Sequence, residues 1–456
     1  MIEERENSQF ELTDALIEQV ELCVETKDDK ELKRVLNEFH YADVAEILDE
    51  LDLDDSVYVI KLLDSETTSD ILMELDEDIR EKILKNLSAK EIAEEIEELD
   101  TDDAADIIAE LPEDRQAEVI SQIEDTEHRN EITELLTYDE DTAGSLMAKE
   151  LVKVYETWTV AGCLRRIRGQ AKDVTRVHSI YVVDKKDKLI GRLSLKDLIV
   201  AKSDHKISDI SNSNVDYVFV DDDVEDVGKV MAKYDLEAIP VVDVNQTLVG
   251  RITIDDIVDV LKEEAEKDYQ MAAGITGDVE ADDSILELTR ARLPWLVLGL
   301  FGGLGSVFIM KGFENVMETV PSLFFYTPLI AAMAGNVGVQ SSAIIVQGIA
   351  NDNVKGSLGS RLLKEVGLSL INGFALALLV VLFGFFIGQN TVESFAIAIS
   401  MMSVIVVAAL VGTFVPIILD KRGIDPAIAT GPFITTSNDI LGIYLFFVIS
   451  GAIIGF

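Results

Sequence analysis

Five long apolar segments in the last part of the chain constrain its fold more than any other feature. They lie near Leu293–Met310, Pro321–Ala350, Val366–Gly388, Phe395–Leu419 and Gly431–Phe456. Each is long enough to cross the roughly 30 Å hydrocarbon core of a bilayer as a helix. Backbone groups in lipid must be hydrogen-bonded within the segment, so we expect five transmembrane helices.

Charge divides the chain at the same place. The protein has 456 residues and a formal net charge of −46, from 85 acidic and 39 basic side chains. Residues 293–456 contain six Lys/Arg and eight Asp/Glu, a net of −2, so residues 1–292 carry −44. Such an acidic region repels nucleic acid and anionic lipid and attracts cations. The simpler explanation is that the acidity keeps a soluble domain dissolved, and a high-salt host would also explain it, so composition alone assigns no function.

Basic residues near the ends of the spans predict the orientation. Arg290 and Arg292 precede the first span, Arg361 follows the second, and Lys421 and Arg422 follow the fourth. The loop QNTVES between the third and fourth spans has no basic residue. The positive-inside rule therefore predicts a multi-pass protein of the cell membrane with its N terminus in the cytoplasm and its C terminus outside. The first residues, MIEERENSQF, do not resemble a signal peptide.

Polar residues inside two of the spans indicate more than an anchor. The second span contains PLIAAMAGNVGVQSSA and the fifth contains GPFITTSNDILG. Helix packing explains the small residues. A carboxylate in lipid costs at least a few kcal/mol and normally faces a partner, a cavity or an ion path. Oxygen ligands suit a hard cation, so we expect an ion path rather than a structural polar cluster. The candidate side chains are Asn336, Gln340, Thr436, Asn438 and Asp439.

The acidic region contains a short repeat. DELD at 49–52, MELD at 73–76 and EELD at 97–100 recur every 24 residues, with helical patterns between them. A period of this length predicts stacked helix pairs, in a small all-α superhelix. For any single acidic run, such as LDTDDAAD, a solvated helix face is the simpler interpretation.

A longer repeat follows. IYVVDKKDKLIGRLSLKDLI (180–199) aligns with IPVVDVNQTLVGRITIDDIV (239–258) at an offset of 59 residues. Each copy predicts a strand, a tight turn, a second strand and a helix that opens at an aspartate. The pair resembles tandem cystathionine-β-synthase (CBS) domains, which form an α/β module. The helix-compatible run DDIVDVLKEEAEKDYQMAAG connects it to the first span.

The order of these regions resembles the MgtE family of magnesium transporters along essentially the whole chain. The most specific matches are YDEDTAGSLM (138–147), FYTPLIAAMAGNVGVQSSA (325–343) and DPAIATGPFITTSND (425–439). The resemblance implies a multidomain membrane protein. Its parts are an all-α superhelical N domain (1–137), CBS units at 138–203 and 204–262, an acidic connecting helix and linker (254–292), and an α-helical five-span domain (293–456).

The resemblance also implies a function, Mg²⁺ uptake through a Mg²⁺-selective channel or transporter. It implies a homodimer in the bilayer, with a pore on the two-fold axis lined by the second and fifth spans. Asp439 would select the cation, helped by Asn336 and by the carbonyls near Gly335 and Gly338. This chain departs from some relatives at Gly431, where they carry asparagine.

The resemblance further implies that cytosolic Mg²⁺ closes the pore by bridging carboxylates of the N domain, the CBS pair and the connecting helix. Lys267 stands where the resemblance leads us to expect another acid. ATP or another adenine nucleotide is compatible with a CBS pair, but no residue here identifies a nucleotide site. The positions that match regulatory Mg²⁺ ligands are Asp256, Asp259, Glu264 and Asp268 on the connecting helix and Asp102 and Asp106 in the helical domain.

Three alternatives stay open at this point. The spans could only anchor a CBS-based sensor, although an anchor has no need of Asp439. A transporter of broader selectivity, for example for Co²⁺ or Mn²⁺, would use the same oxygen ligands. An enzyme is not expected, because there is no Walker-type phosphate loop and the four histidines have no metal-ligand spacing. Cys23 and Cys163 are too few for a thiolate metal site.

Overall fold

The computed structural model describes residues 12–171, 174, 176–277, 279, 281, 283–351, 354 and 356–456. The first eleven residues of the predicted N domain therefore lie outside the described residues. The chain forms two compact units, one ending at Leu261 and the other beginning at Lys262.

Ten helices open the part of the first unit that the structure describes. Helices two places apart in sequence pack on each other, as the third does on the fifth, the fifth on the seventh and the eighth on the tenth. This is the stacked helical superhelix that the 24-residue repeat predicts. The helices are α1 Asp14–Thr26, α2 Asp29–Leu36, α3 Tyr41–Asp49, α4 Leu53–Leu62, α5 Ser65–Glu74, α6 Glu77–Asn86, α7 Ala89–Ile96, α8 Thr101–Ala109, α9 Glu113–Gln122 and α10 Thr126–Leu135.

The Leu-Asp pair of each repeat ends one helix layer and starts the next. The leucines at 51, 75 and 99 are buried in the core. The aspartates at 52, 76 and 100 are the N-cap residues of α4, α6 and α8, but their carboxylates make no hydrogen bond to their own helices. The third of these, Asp100, therefore has its carboxylate available for contacts outside α8.

In the described residues that follow, there are two three-stranded sheets, each with a parallel and an antiparallel pair. Their orders are β1-β2-β3 and β4-β5-β6. Together with the matching helices they form the tandem α/β CBS pair that the 59-residue repeat predicts. The elements are β1 Val152–Tyr155, α11 Val160–Gln170, β2 Ile180–Val183, β3 Leu189–Leu193, α12 Leu195–Val200, a 3-10 turn at Ile207–Asp209, β4 Val218–Phe219, α13 Val224–Tyr234, β5 Ala238–Val242, β6 Leu248–Thr253 and α14 Ile254–Ala273.

The aspartate expected to open the last helix of each CBS unit lies slightly inside it. Asp197 and Asp256 each come three residues after a hydroxyl residue, Ser194 or Thr253, that precedes the helix. Each pair is joined by hydrogen bonds between hydroxyl, backbone N–H and carboxylate. The hydroxyl residue, rather than the aspartate, marks the helix start.

The segment 138–150 joins the helical domain to the second CBS unit. The Ala143 and Gly144 N–H groups donate to the carbonyls of Asp222 (2.7 Å) and Val220 (2.8 Å). Further along, Ala148 pairs with Arg251 of β6 in both directions. A side chain at Gly144 would meet the Tyr138 ring at 2.6 Å, so the signature segment requires glycine there. The segment thus fixes α8 and α10 near β6.

Among its described residues, the second unit contains five helices that are long and apolar enough to cross a membrane. They confirm the five predicted spans, and three of them begin several residues before the apolar segment. In the first, Ser284 and Glu287 form a capping box that starts the helix ahead of the apolar residues. The helices are α15 Ile285–Gly312, α17 Ser322–Ala350, α18 Leu358–Phe386, α19 Thr391–Asp420 and α20 Gly431–Ile454, with the short α16 Glu314–Thr319 after α15.

Helices α17, α19 and α20 form the centre of the membrane unit, with α18 packed on α19 and α15 on α20. The three central helices approach one another closely at Gly338 of α17. A Cβ at Gly412 of α19 would lie 2.4 Å from the Gly338 carbonyl oxygen. Small residues permit this approach, as expected for helices in lipid.

Candidate cation sites

An acidic cluster lies within the first unit. Oxygen atoms of Asp100, Asp102 and Glu150 all lie within 4.8 Å of one another. Asp100 and Asp102 flank the start of α8, and Glu150 is at the end of the segment that joins α10 to β1. The cluster therefore assembles only when the helical domain and the CBS pair are together. Three carboxylates at this spacing can hold a divalent cation directly or through water.

The hydroxyl of Thr101 locks the two sides of the cluster together. Its Oγ1 donates to Glu150 Oε2 at 2.8 Å and accepts from the Lys149 N–H at 2.8 Å. The Thr101 N–H also donates to Glu150 Oε2, at 3.2 Å. Since Thr101 is fully buried, these bonds define the relative position of α8 and Glu150.

Two more carboxylates join the cluster electrostatically. Burial raises the pKa of Asp103 to about 7, with a further contribution from Asp256. Burial also raises the pKa of Asp256, although hydrogen bonds from Thr253 oppose the shift. Asp256 belongs to α14, so the start of the connecting helix contributes to the same site.

The cluster has less positive charge than its carboxylates require. Burial raises the pKa of Asp102 well above its usual value, with Asp103 and Asp256 adding to it. Burial and Glu150 together raise the pKa of Asp100 to about 6, while Arg251 opposes that shift. Like charges brought together in this way disfavour their ionised forms. A bound divalent cation would remove that penalty.

The predicted regulatory residues divide between the two units. Asp102 and Asp256 belong to the cluster, and Asp106 is close enough to raise the pKa of Asp103. Asp259 is exposed on α14. Glu264 and Asp268 lie in the second unit, where Glu264 pairs with Lys267 at 3.0 Å.

Sequence reasoning did not single out Asp100, Asp103 or Glu150. A signal was available for Asp100, which ends the third Leu-Asp repeat and precedes two further aspartates. No local pattern marks Glu150, because it reaches the cluster through a contact 49 residues away in sequence.

Asp439 is the centre of the second candidate site. It is partly buried on α20 and faces α17, where its Oδ1 lies 3.5 Å from the Cβ position of Gly335. Thr435 packs against the same glycine, and its hydroxyl is bonded to the Gly431 carbonyl (2.6 Å). The absence of a side chain at Gly335 leaves room for the carboxylate between the two helices.

The other predicted pore residues lie on several faces. Asn438 is 1% exposed against Gly338, and neither of its amide atoms has a hydrogen-bond partner among the described residues. Thr436 packs on Gly302 of α15. Asn336 and Gln340 are exposed on α17. The structure therefore brings Asp439 and Gly335 together and leaves the two α17 amides on the surface of the single chain.

The N terminus of α20 lies against the end of the connecting helix. Gly431 has a φ of +46°, and a Cβ there would lie 2.2 Å from the Ala272 carbonyl oxygen. Its neighbour Pro432 occupies the space beside Gly274. Only glycine satisfies both the left-handed backbone and the close approach at this position.

These features define the class of protein, a multi-pass membrane protein with an acidic helical domain, a CBS pair and a carboxylate in its membrane helices. Family models match each part: the MgtE intracellular N domain at residues 39–141, CBS domains at 143–204 and 207–263, and the MgtE divalent cation transporter at 327–449. The chain belongs to the MgtE family, which comprises membrane cation transporters rather than enzymes.

Named relatives agree with this assignment. The chain is 37% identical over 323 residues to magnesium transporter MgtE of Enterococcus faecalis, covering 71% of each chain. It is also 37% identical to magnesium transporter MgtE of Thermus thermophilus, covering 70% of this chain and 71% of the relative. The solved cytosolic domain of the Mg²⁺ channel MgtE in complex with ATP is similar to 54% of this chain and 99% of that domain, with 37% identity and a TM-score of 0.51.

Proposed function

We propose that this protein is a Mg²⁺-selective channel or transporter that mediates Mg²⁺ uptake across the cell membrane. The observation that supports this proposal most strongly is that Asp439 of α20 is partly buried against Gly335 of α17. A carboxylate at this depth attracts a cation, and the neighbouring oxygens allow the ion to keep part of its hydration. The naming of relatives as magnesium transporters supports Mg²⁺ as the cargo.

The direction of transport follows from the membrane potential. The chain has no Walker-type ATP motor, and a negative interior favours cation entry. We expect the N terminus in the cytoplasm and the C terminus outside, as the basic residues near the spans predict. In that orientation the acidic cluster samples cytosolic Mg²⁺.

The acidic cluster is the proposed regulatory site. Mg²⁺ bound among Asp100, Asp102, Glu150 and Asp256 would favour the assembled arrangement, because an ion stabilises the state that binds it better. When Mg²⁺ falls, the carboxylates repel one another and the assembled arrangement weakens. The close approach of Ala272 to Gly431 supports the connecting helix as the element that then acts on the pore.

We propose a homodimer in the bilayer. Asn336 and Gln340 are exposed on α17, and amides facing hydrocarbon are unfavourable. A second copy across a two-fold axis would cover them and place two Asp439 carboxylates on one pore. The molar mass of the detergent-solubilised protein tests this, and a monomer that transports Mg²⁺ would contradict it.

Two finer points belong to the same proposal. The CBS pair binds ATP or a related adenine nucleotide, supported by the ATP complex of the similar cytosolic domain. Broader selectivity, for Co²⁺ or Mn²⁺, is the second candidate function, because the cluster and Asp439 offer only oxygen ligands. Competition of each metal against Mg²⁺ flux separates these two functions.

The deciding experiment is Mg²⁺ flux into proteoliposomes for the wild type, Asp439→Asn and Glu393→Gln. Glu393 is a matched control, since it is a membrane-helix carboxylate whose Oε2 accepts from Ser322 (2.6 Å). A buried charge is worth a few kcal/mol, so Asp439→Asn should lower flux at least about tenfold while Glu393→Gln retains it. Wild-type flux from Asp439→Asn would contradict the proposed pore and favour the alternative that the spans only anchor a CBS sensor.

A further inference from the structure

Arg251 lies inside the acidic cluster. Its side chain is only 7% exposed, on β6 of the second CBS unit. The guanidinium Nε donates to the Glu150 carbonyl at 2.5 Å, and Nη2 lies 3.4 Å from Asp100 Oδ2. The Arg251 side chain thus contacts both Glu150, at the end of the segment 138–150, and Asp100, the N-cap residue of α8.

The Arg251 guanidinium differs from the other basic side chains near the cluster in its charge and its contacts. A guanidinium stays protonated at any pH the protein meets, and its planar fork suits bonds to two oxygens. Lys149 directs its ammonium to Glu134 at 2.8 Å instead. His128 Nδ1 is 4.0 Å from Glu150 Oε1. Among the described residues, Arg251 is therefore the only lysine or arginine that forms an ion pair with a carboxylate of the cluster.

We propose that Arg251 is a built-in counter-cation that holds the helical domain against the second CBS unit without Mg²⁺ and thereby sets the Mg²⁺ concentration at which the cluster assembles. The inference rests on the proposed regulatory function of the cluster. In it, Arg251 neutralises part of the carboxylate charge that bound ions would otherwise have to neutralise.

The number of charges explains why both cations are needed. Five carboxyl groups share the site: Asp100, Asp102, Asp103, Glu150 and Asp256. One guanidinium offsets only part of their repulsion, so the assembled arrangement is poised and divalent cations complete it. Without Arg251, assembly would need more Mg²⁺, because hydrogen bonds to charged groups each favour assembly by about tenfold or more.

The repeat supplies a matched control. Arg192 occupies the position in the first CBS unit that Arg251 occupies in the second, at the offset of 59 residues. Its backbone pairs with Asn212, and the described contacts give it no bond to the cluster. Arg192→Gln removes the same charge from the equivalent strand of a sheet that does not carry the cluster.

Hydrogen–deuterium exchange on the full-length protein in detergent tests the proposal over a range of Mg²⁺ concentrations. Peptides covering Thr101 and Lys149 report the contact directly, because both N–H groups are bonded across it. We expect Arg251→Gln to lower their protection about tenfold without Mg²⁺ and to raise the Mg²⁺ midpoint several-fold. Arg192→Gln should match the wild type, and Arg251→Lys should retain most of the effect of the charge.

Several results would overturn the proposal. One is an unchanged Mg²⁺ midpoint in Arg251→Gln. Another is a lower midpoint in that variant, which would mean that Arg251 merely competes with Mg²⁺. The third is a loss of Mg²⁺-free protection in Arg192→Gln equal to that in Arg251→Gln. Exchange in β5 reports whether each variant is folded. If Arg251→Gln is unfolded there, Arg251→Lys decides: a folded lysine variant that loses Mg²⁺-free protection overturns the role of charge.

Failure of the proposed regulatory function has a different signature. The wild type would then show no Mg²⁺-dependent protection at Thr101 and Lys149. In that case, selective loss of Mg²⁺-free protection in Arg251→Gln still supports the counter-cation, and unchanged protection overturns it.

Discussion

Asp102 combines two opposing effects at a single residue. It lies in the first turn of α8, where the helix dipole favours an anion, but burial and neighbouring carboxylates raise its pKa. The carboxylate is therefore retained at a cost to stability unless a cation is bound. This is the pattern expected of a site whose purpose is binding rather than folding.

Neutralising Asp102 should separate the stability cost of its carboxylate from its role in binding a cation. Asp102→Asn should raise the melting temperature of the Mg²⁺-free protein by roughly 2–4 °C for each kcal/mol of repulsion removed. It should also reduce the further increase that Mg²⁺ produces. Asp114→Asn is the control, since that aspartate is in the first turn of α9 but is exposed. An Mg²⁺ response as large as that of the wild type would exclude Asp102 as a ligand.

Glu95 gives a pH-dependent prediction away from the metal site. Burial raises its pKa to about 7, Glu94, Asp64 and Glu98 add to the shift, and Ser65 opposes it. The folded pKa exceeds the unfolded value, so the stability contribution is full below about pH 4.5 and is lost as pH rises through 7. Glu95→Gln should therefore raise the free energy of unfolding at pH 8 and leave it unchanged at pH 4.

Thermal unfolding of both proteins at the two pH values checks this. Glu113→Gln, at an exposed carboxylate of α9 that is not among the groups that shift Glu95, is the control. Equal stabilisation by Glu95→Gln at both pH values would mean that packing, and not ionisation, distinguishes the variant.

At the scale of elements, the contact between α14 and α20 depends on the lack of a side chain at Gly431. Gly431→Ala should push the Ala272 end of the connecting helix away from α20 and increase Mg²⁺ flux under closing conditions. Gly423→Ala is a matched control: its φ is +68°, but nothing lies within 4 Å of the new Cβ. It should cost only about 1–2 kcal/mol of backbone strain and leave flux regulation unchanged.

Flux at high Mg²⁺ on the side of the first unit, with melting temperature as the stability check, measures this difference. If both variants leak equally, backbone strain rather than the α14 contact accounts for the effect. If neither leaks, the end of the connecting helix does not control the pore.

The sequence predicts elements well and contacts between distant residues poorly. The Leu-Asp repeat predicts the layers of the helical domain, because each leucine is buried and each aspartate starts a helix. Hydropathy predicts the spans but not their polar starts, which depend on caps such as Ser284. Glu150 could not be predicted, because its role comes from tertiary contact with Thr101 rather than from any local pattern.

For the candidate pore, the residue types in the sequence indicate the site, but they do not indicate which way each side chain points. Asp439 is marked by its presence in an apolar span. Asn438, one residue earlier, points about a quarter turn away and packs on Gly338. Whether Asn438 and Thr436 contact the ion stays a prediction, and substitution of each by alanine in the flux assay would test it.

At the scale of the whole molecule, the two proposed cation sites are separate and have different roles. The cluster lies in the unit that ends at Leu261, and Asp439 lies in the unit that begins at Lys262. Coupling between distant sites typically changes an equilibrium by about 5- to 150-fold. Loss of the cluster should therefore abolish regulation without abolishing transport.

The most direct test is Mg²⁺ flux in proteoliposomes at low and high Mg²⁺ on the side of the first unit. We predict that high Mg²⁺ reduces wild-type flux by about 5- to 150-fold, the range typical of coupled sites. Asp102→Asn combined with Asp256→Asn should transport equally under both conditions. Asp439→Asn should transport at least about tenfold less than the wild type at low Mg²⁺. Closure of the double variant at the wild-type Mg²⁺ concentration would contradict the account.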